Sequence, residues 1–490
     1  MLFISTYVKS IVFNSTQRQG IFIRFSSNRR TSTFADEYLR VSRAGERKLN
    51  RNMYGKSAKH LCQLQIDELY DHLFGHQVKE DKRDRPFFNF QEIHKSSKPG
   101  SYARVGILST PNGCMQTPGF VSVASCGALK SINMTDAAAA GCELMFVNTY
   151  HLMVQGAIQA ISASGGIHRF TSRHKTTSNG PFISDSGGFQ VFSMMSGAFA
   201  EELQDIELKA AGGKKNRTNS VLSLSEYGIE FASYKDGTPI LLTPENSIQN
   251  QKAIGADIII PLDELLPATA GTEQVSESVL RNNRWQLRSL ATHLDDIREQ
   301  AIYCVIHGGI NAENRERSAS FLTSLPFDGI AIGGSLGKTK REMRTMLAQL
   351  MPSIKRKRHS MPVHLLGIGD IDNIINSVAF GIDSFDSCYL TRAARHGRVI
   401  VLSDPDGATS VYDKDISYLN LKNRVHRDDY APLSPTCTCP TCVYAPSRAY
   451  LHHLLRANEP IVAQLLSVHN LWTVNQLMEQ LRQDIFNNIV

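Results

Sequence analysis

From about Phe88 onward, short apolar runs alternate with longer stretches whose apolar positions recur at helical spacing, a pattern that implies strands and helices taken in turn around a parallel sheet. Eight such runs stand out: Phe120 to Ala124, Leu144 to Asn148, Pro181 to Asp185, Asp257 to Asp263, Tyr303 to Gly308, Gly329 to Gly334, His364 to Gly369 and Asp383 to Ser387. Almost all end in a polar residue or a glycine, namely Asn148, Asp185, Asp263, His307 with Gly308, Gly333 with Gly334, Gly367 with Gly369, and Asp386. The predicted fold is α/β, a (β/α)8 TIM barrel, in which the C-terminal strand ends converge on one mouth and would share a single site. The alternative is an open doubly wound sheet, but no Gly-rich fingerprint follows the first run.

Outside this pattern the chain reads differently. Residues 36 to 87 are charged and polar, with a helical patch from Ala58 to Phe74 and a charge run from Lys79 to Arg85 that reads as linker. Residues 1 to 35 carry Lys9, Arg18, Arg24, Arg29 and Arg30, many Ser and Thr, and no acidic residue before Asp36. That is the composition of a mitochondrial transit peptide; the other reading is a basic tail on a cytoplasmic chain. Near the other end, Ala449 to Arg456 and Ile461 to Asn470 read as two helices. The predicted domains are therefore 1–35, 36–87, and a barrel over 88–490 with an appended metal-binding subdomain at about 430–475.

Composition narrows the class. At 490 residues and 42% hydrophobic content the chain can bury a large core, and no apolar run reaches the length of about 18 residues that spans a bilayer. A net charge of +7 and a pI near 8.8 favour a polyanionic partner without specifying one. Of nine cysteines, three form Cys437-Thr438-Cys439-Pro440-Thr441-Cys442 and the rest scatter, which suits a reducing compartment and one zinc site. Three thiolates leave tetrahedral zinc one ligand short, and His452, His453 and His469 are on offer.

Two stretches carry the candidate chemistry. In the first, Asp386 ends a strand and Arg392, Arg395 and Arg398 follow at once; a strand-end carboxylate can attack an anomeric carbon, and the guanidinium groups can hold phosphates beside it. The bland reading makes Asp386 a helix cap and the arginines a solvated face. The second is Ser184-Asp185-Ser186-Gly187-Gly188-Phe189-Gln190, where the glycines admit a flat ligand, Phe189 can stack on a nucleobase, and Asp185 supplies a second carboxylate to move a proton. Taken alone, Gly-Gly-Phe is a tight turn with a core aromatic. A third stretch, Lys355 to His359 with Lys338, Lys340, Arg341 and Arg344 before it, could extend a nucleic-acid footprint or be a charged helix surface.

From about Phe90 to the C-terminus these stretches resemble the tRNA-guanine transglycosylase family, also called queuine tRNA-ribosyltransferase. The residues that carry the resemblance are Thr117-Pro118-Gly119-Phe120, Asn148-Thr149-Tyr150-His151-Leu152, Ser184 to Gln190, Asp236-Gly237, Thr243-Pro244-Glu245, Leu262-Asp263-Glu264, Gly333-Gly334, Phe385-Asp386, Thr391-Arg392 with Arg395 and Gly397, the cysteine trio, and Ser447-Arg448-Ala449-Tyr450. The resemblance implies exchange of guanine at the anticodon wobble position of tRNA for a 7-deazaguanine base. It implies Asp386 as nucleophile toward the ribose, Asp185 as general acid/base, Phe189 as the stacking ring, and Asn148, Asp263, His307 and Gly334 around the base. It further implies Arg392 and Arg395 against RNA, where Arg398 from the same run could join them, and Cys437, Cys439, Cys442 and His469 on one structural zinc. Partners would be tRNA, queuine and guanine, with a homodimer or a heterodimer with a related subunit.

There are departures. Ile306-His307-Gly308-Gly309 stands where Val-Gln-Gly-Gly is usual, Ser387 follows the nucleophile where Cys is common, Leu390 replaces Pro, and Leu265 replaces a Cys frequent in bacterial members. The interval from Met194 to Glu226 is long. Gly337 falls where members that take small aminomethyl-substituted precursors tend to have Val, which implies room for the larger base queuine; the other reading gives Gly337 to a turn. A non-catalytic partner subunit would be expected to have lost Asp185 or Asp386, an archaeosine-type enzyme would carry a further RNA-binding domain after His469, and a zinc hydrolase would need an open metal position.

Overall fold

The strand runs close into one eight-stranded parallel barrel. A computed structural model describes residues 66–74, 85–175, 180–195, 221–403 and 410–490, all within the unit Leu61–Val490. The transit-peptide segment 1–35, most of the linker and most of the 194–226 interval lie outside the described residues; of the helical patch, Ile66–Phe74 is described and is helix.

Three antiparallel strands come first, β1 (Asn89–Lys95), β2 (Arg104–Thr110) and β3 (Gly113–Thr117), and the sequence reading did not anticipate them. They attach to the strand-entry end of the barrel. Arg104 in β2 donates from Nε and Nη2 to the two oxygens of Asp383 at 2.8 and 2.7 Å, and Asn112 donates to Asp257 Oδ1 at 2.9 Å; both aspartates stand just before barrel strands.

The barrel itself starts with β4 (Gly119–Val123), β5 (Met145–Val147) and β6 (Phe182–Ser184). An antiparallel excursion of β7 (Val221–Ser225), β8 (Gly228–Ala232) and β9 (Pro239–Leu242) intervenes. Then come β10 (Ile258–Ile259), β11 (Ala301–Ile306), β12 (Gly329–Ile332), β13 (Val363–Leu365) and β14 (Ser384–Ser387). Around the barrel the order is β10, β11, β12, β13, β14, β4, β5, β6, and closure is made where Ile258 pairs with Ile183.

Why these strands read as continuous apolar runs is visible in β11. Ala301, Tyr303 and Val305 belong to the inner core with Val121, Phe146, Ile183 and Ala331, whereas Ile302, Cys304 and Ile306 face the helix layer. A strand buried on both faces needs apolar residues at every position. Polar residues are admitted where each run stops, at the mouth.

After β14 the chain leaves the barrel through helix Tyr389–Arg395 and the hairpin β15 (Arg398–Ser403) and β16 (Asp415–Asn420). The two C-terminal helices are Arg448–Ala457 and Ile461–Phe486; the second extends well past the predicted Asn470 because it packs on β15, β4 and β2 along its length.

Candidate active site and metal cluster

Asp185 follows β6 and Asp386 lies in β14, so parallel topology brings both carboxylates to one mouth from strands separated by β4 and β5. Their environments differ. Asp185 is buried and accepts from Asn148 Nδ2 (2.6 Å) and Gln190 Nε2 (2.9 Å) on Oδ2, and from the backbone N–H of Thr149 (2.7 Å) and Gly187 (3.2 Å) on Oδ1. Burial pushes its carboxyl up to about 6, outweighing four donors that favour the charged form. Asn148 starts helix Thr149–Val154 without capping it, which leaves its amide for Asp185.

Among the described residues, Asp386 is held on one side only. Its Oδ1 takes His364 Nε2 at 3.0 Å and the Gly367 N–H at 2.9 Å. His364 is 1% exposed, and its Nδ1 meets Ser384 Oγ at 2.8 Å. Sequence reasoning used His364 only as the start of a strand run. The signal it missed is register: His364 pairs with Ser384, two residues before Asp386 on the same face of β14.

Glycines shape the backbone next to Asp185 and along the neighbouring wall. Gly187 has φ +88°, a conformation that favours glycine, and a side chain there would press on Tyr150. Phe189 begins helix Gly188–Met195 and is 42% exposed, as a ring awaiting a stacking partner would be. Asp263, after β10, has Ser186 Oγ at 3.5 Å, and His307 Nε2 stands 3.1 Å from its Oδ2, close enough for ion pairing but too poorly aligned for a hydrogen bond. At Gly334 a β-carbon would lie 2.8 Å from His307 Nδ1, so the glycine keeps this wall open.

A cavity of about 390 Å³ continues outward past His307 and Gly334, lined also by Glu264, Val275, Ile310 and Gly337. Gly337 has φ +103°, and a β-carbon there would stand 2.7 Å from Glu342 Cβ and 3.1 Å from Ile310 Cγ2. The glycine therefore serves the turn as well as the cavity. Glu342 is fixed in place because its Oε2 accepts the N–H of Lys338 and Thr339 at 2.7 and 3.0 Å, closing the capping box of helix Lys340–Lys357.

The arginines follow Asp386 directly. Arg392 and Arg395 lie on helix Tyr389–Arg395 and Arg398 opens β15; all are half-buried, and among the described residues no carboxylate lies within pairing distance of Arg395 or Arg398. The other basic run is largely neutralised. Lys340 pairs with Asp370 and Asp372, Arg344 with Asp372, Lys357 with Glu316, and Lys355 is buried 3.8 Å from Asp383 at the strand-entry end, so much of the run belongs to the fold.

Cys437, Cys439, Cys442 and His469 place their ligand atoms within 4.8 Å of one another and could hold a metal ion. His469 Nδ1 stands 3.5, 3.6 and 3.4 Å from the three sulfurs in that order. The other ring nitrogen, Nε2, donates to the Ile400 carbonyl at 2.8 Å, which leaves the Nδ1 lone pair facing the thiols. His452 is engaged with the Leu421 carbonyl, away from the cluster.

A closed (β/α)8 barrel with two unlike carboxylates at its mouth and a Cys3His cluster behind defines a barrel enzyme rather than a binding module. The model of the family Queuine tRNA-ribosyltransferase matches residues 99–489. Among curated proteins, the queuine tRNA-ribosyltransferase of Protochlamydia amoebophila is 44% identical over 404 residues, 82% of this chain and 97% of its own length. Those of Chlamydia abortus and Chlamydia caviae are 42% and 43% identical over 399 residues, 81% of this chain and 98% of theirs. The chain belongs to the queuine tRNA-ribosyltransferase family.

Proposed function

We propose that this chain is a pentosyltransferase that exchanges the guanine at the wobble position of a tRNA for queuine, passing through an aspartyl ester of the ribose. The observation that carries the reading is the asymmetry of the carboxylates. Asp386 has Oδ1 doubly held while among the described residues no donor engages Oδ2, whereas Asp185 is buried, with its carboxyl pushed up to about 6. A nucleophile must be ionised, and an acid/base must carry and give up a proton near neutral pH.

Asp386 Oδ2 attacks C1′, the glycosidic C–N bond breaks, and guanine departs with a proton from Asp185. The incoming base surrenders its N9 proton to the Asp185 carboxylate, attacks C1′ and displaces Asp386, so both carboxylates return to their starting states. Asp263 would accept from the base edge, His307 would face its carbonyl, Phe189 would stack on the ring, and Arg392, Arg395 and Arg398 would hold the RNA backbone. The cavity past Gly334 and Gly337 would receive the cyclopentenediol arm of queuine.

Zinc fits the Cys3His cluster. Zn–S bonds of about 2.3 Å and Zn–N bonds of about 2.1 Å at tetrahedral angles put each sulfur roughly 3.6 Å from the nitrogen, close to the 3.4–3.6 Å separations of the cluster. Four protein ligands fill that geometry, so the ion would be structural. Transfer of label settles the substrate: tRNA carrying labelled wobble guanine, offered a panel of 7-substituted deazaguanines, should lose label fastest to queuine, and failure of every base to displace label refutes the assignment.

A further inference from the structure

His364 is a buried imidazole in direct contact with the carboxylate that the base-exchange reading uses as nucleophile, and its surroundings are simple. Its lateral neighbours in the barrel are Ala331 on β12 and Ser384 on β14. From β5 the Phe146 ring stacks on it, at 6.3 Å between centroids. Asp386 is the one charged group within ion-pairing distance among the described residues. The inner core around Phe146, built from Val121, Ile183 and Val305, is apolar.

These contacts determine which nitrogen carries the proton. A carboxylate oxygen only accepts, so Nε2 must donate to Asp386 Oδ1; in a neutral ring Nδ1 then accepts, and Ser384 Oγ–H donates to it. We propose that His364 is a positioning residue for the nucleophile: its Nε2–H pins Asp386 Oδ1 and aims Oδ2 at the mouth, and Ser384 fixes the tautomer that permits this. The Gly367 N–H supplies the second donor to Oδ1, so two bonds from different directions fix the orientation of the carboxylate.

The inference rests on the base-exchange reading, and formation of the ester isolates it, because the nucleophile acts there directly. Full-length enzyme in excess over tRNA, quenched into denaturant, gives the rate of tRNA–enzyme adduct formation and its dependence on enzyme concentration. His364→Leu, which removes the donor to Oδ1, should slow the limiting rate at least about tenfold while leaving the half-saturating concentration within about twofold. His364→Gln, which can still donate to Oδ1 and accept from Ser384 Oγ, should restore the rate to within a few-fold of wild type. Ser384→Ala leaves the ring in place and should slow adduct formation several-fold with melting temperature unchanged. Wild-type rates in both His364→Leu and Ser384→Ala overturn the inference while leaving base exchange intact; a wild type that forms no adduct overturns both.

Discussion

Asn470, the residue after the cluster ligand His469, donates to the carbonyl of Leu390, four residues beyond Asp386. The same amide reaches the Arg398 carbonyl and accepts the Ile400 N–H, and Ile400 in turn accepts from His469. The Cys3His cluster is therefore wired through one helix to the segment that carries Asp386 and the arginines after it.

That wiring predicts a metal needed for structure and, at one remove, for activity. Purified protein should hold one zinc, and His469→Ala should lower both the zinc content and the melting temperature, the latter by more than about 5 °C, since ligand loss removes binding energy that is also folding energy. Metal analysis and thermal melts check it; an unchanged ratio and melt would move the fourth ligand elsewhere.

In the proposed mechanism Asp185 would set the pH dependence of the second half of the exchange. Its folded-state value is raised, so below about 6 it holds a proton and cannot take one from the incoming base. Discharge of preformed adduct by queuine should rise about tenfold per pH unit up to about 6 and level off above it. The opposite trend, faster discharge at low pH, would assign the base role to another group.

Gly337→Val is not a clean probe of the outer cavity, because φ at this residue is +103° and the added side chain would meet Glu342. Val275 lines the same cavity from a helix and is half-buried. Val275→Phe should raise KM for queuine at least about tenfold and leave guanine exchange within about threefold, as filling a pocket excludes the larger ligand. Equal losses for the two bases would place the queuine arm elsewhere.

We also propose that residues 1 to 35 direct the chain to mitochondria. Fused to a fluorescent reporter they should give organellar signal that is lost when Arg24, Arg29 and Arg30 are replaced by Ser. A diffuse signal from the intact segment contradicts this.

The barrel was legible because a parallel strand buried on both faces leaves an uninterrupted apolar run, and because polarity returns only at its end. All eight barrel strands fall within or beside the anticipated runs, down to β10, where only Ile258 and Ile259 pair in a run anticipated from Asp257 to Asp263. The sheet β1 to β3 was not legible: its alternation is broken by a register shift between Glu92 and His94, and several of its partners lie far along the chain. Within the site, carboxylates and glycines at strand ends could be read from position alone. His364 could not, since a histidine inside a core strand acquires meaning only when the register of a second strand sets Ser384 opposite it and brings Asp386, two residues on, within reach.

The central claim is that Asp386 bonds the ribose. Wild-type enzyme mixed with tRNA and quenched in denaturant should yield a covalent tRNA–protein species that vanishes on addition of queuine, and Asp386→Asn should yield none and exchange no labelled guanine, because a neutral amide neither attacks C1′ nor offsets the charge developing there. Wild-type turnover by Asp386→Asn, or an adduct that maps to another residue by peptide mass, would contradict the account.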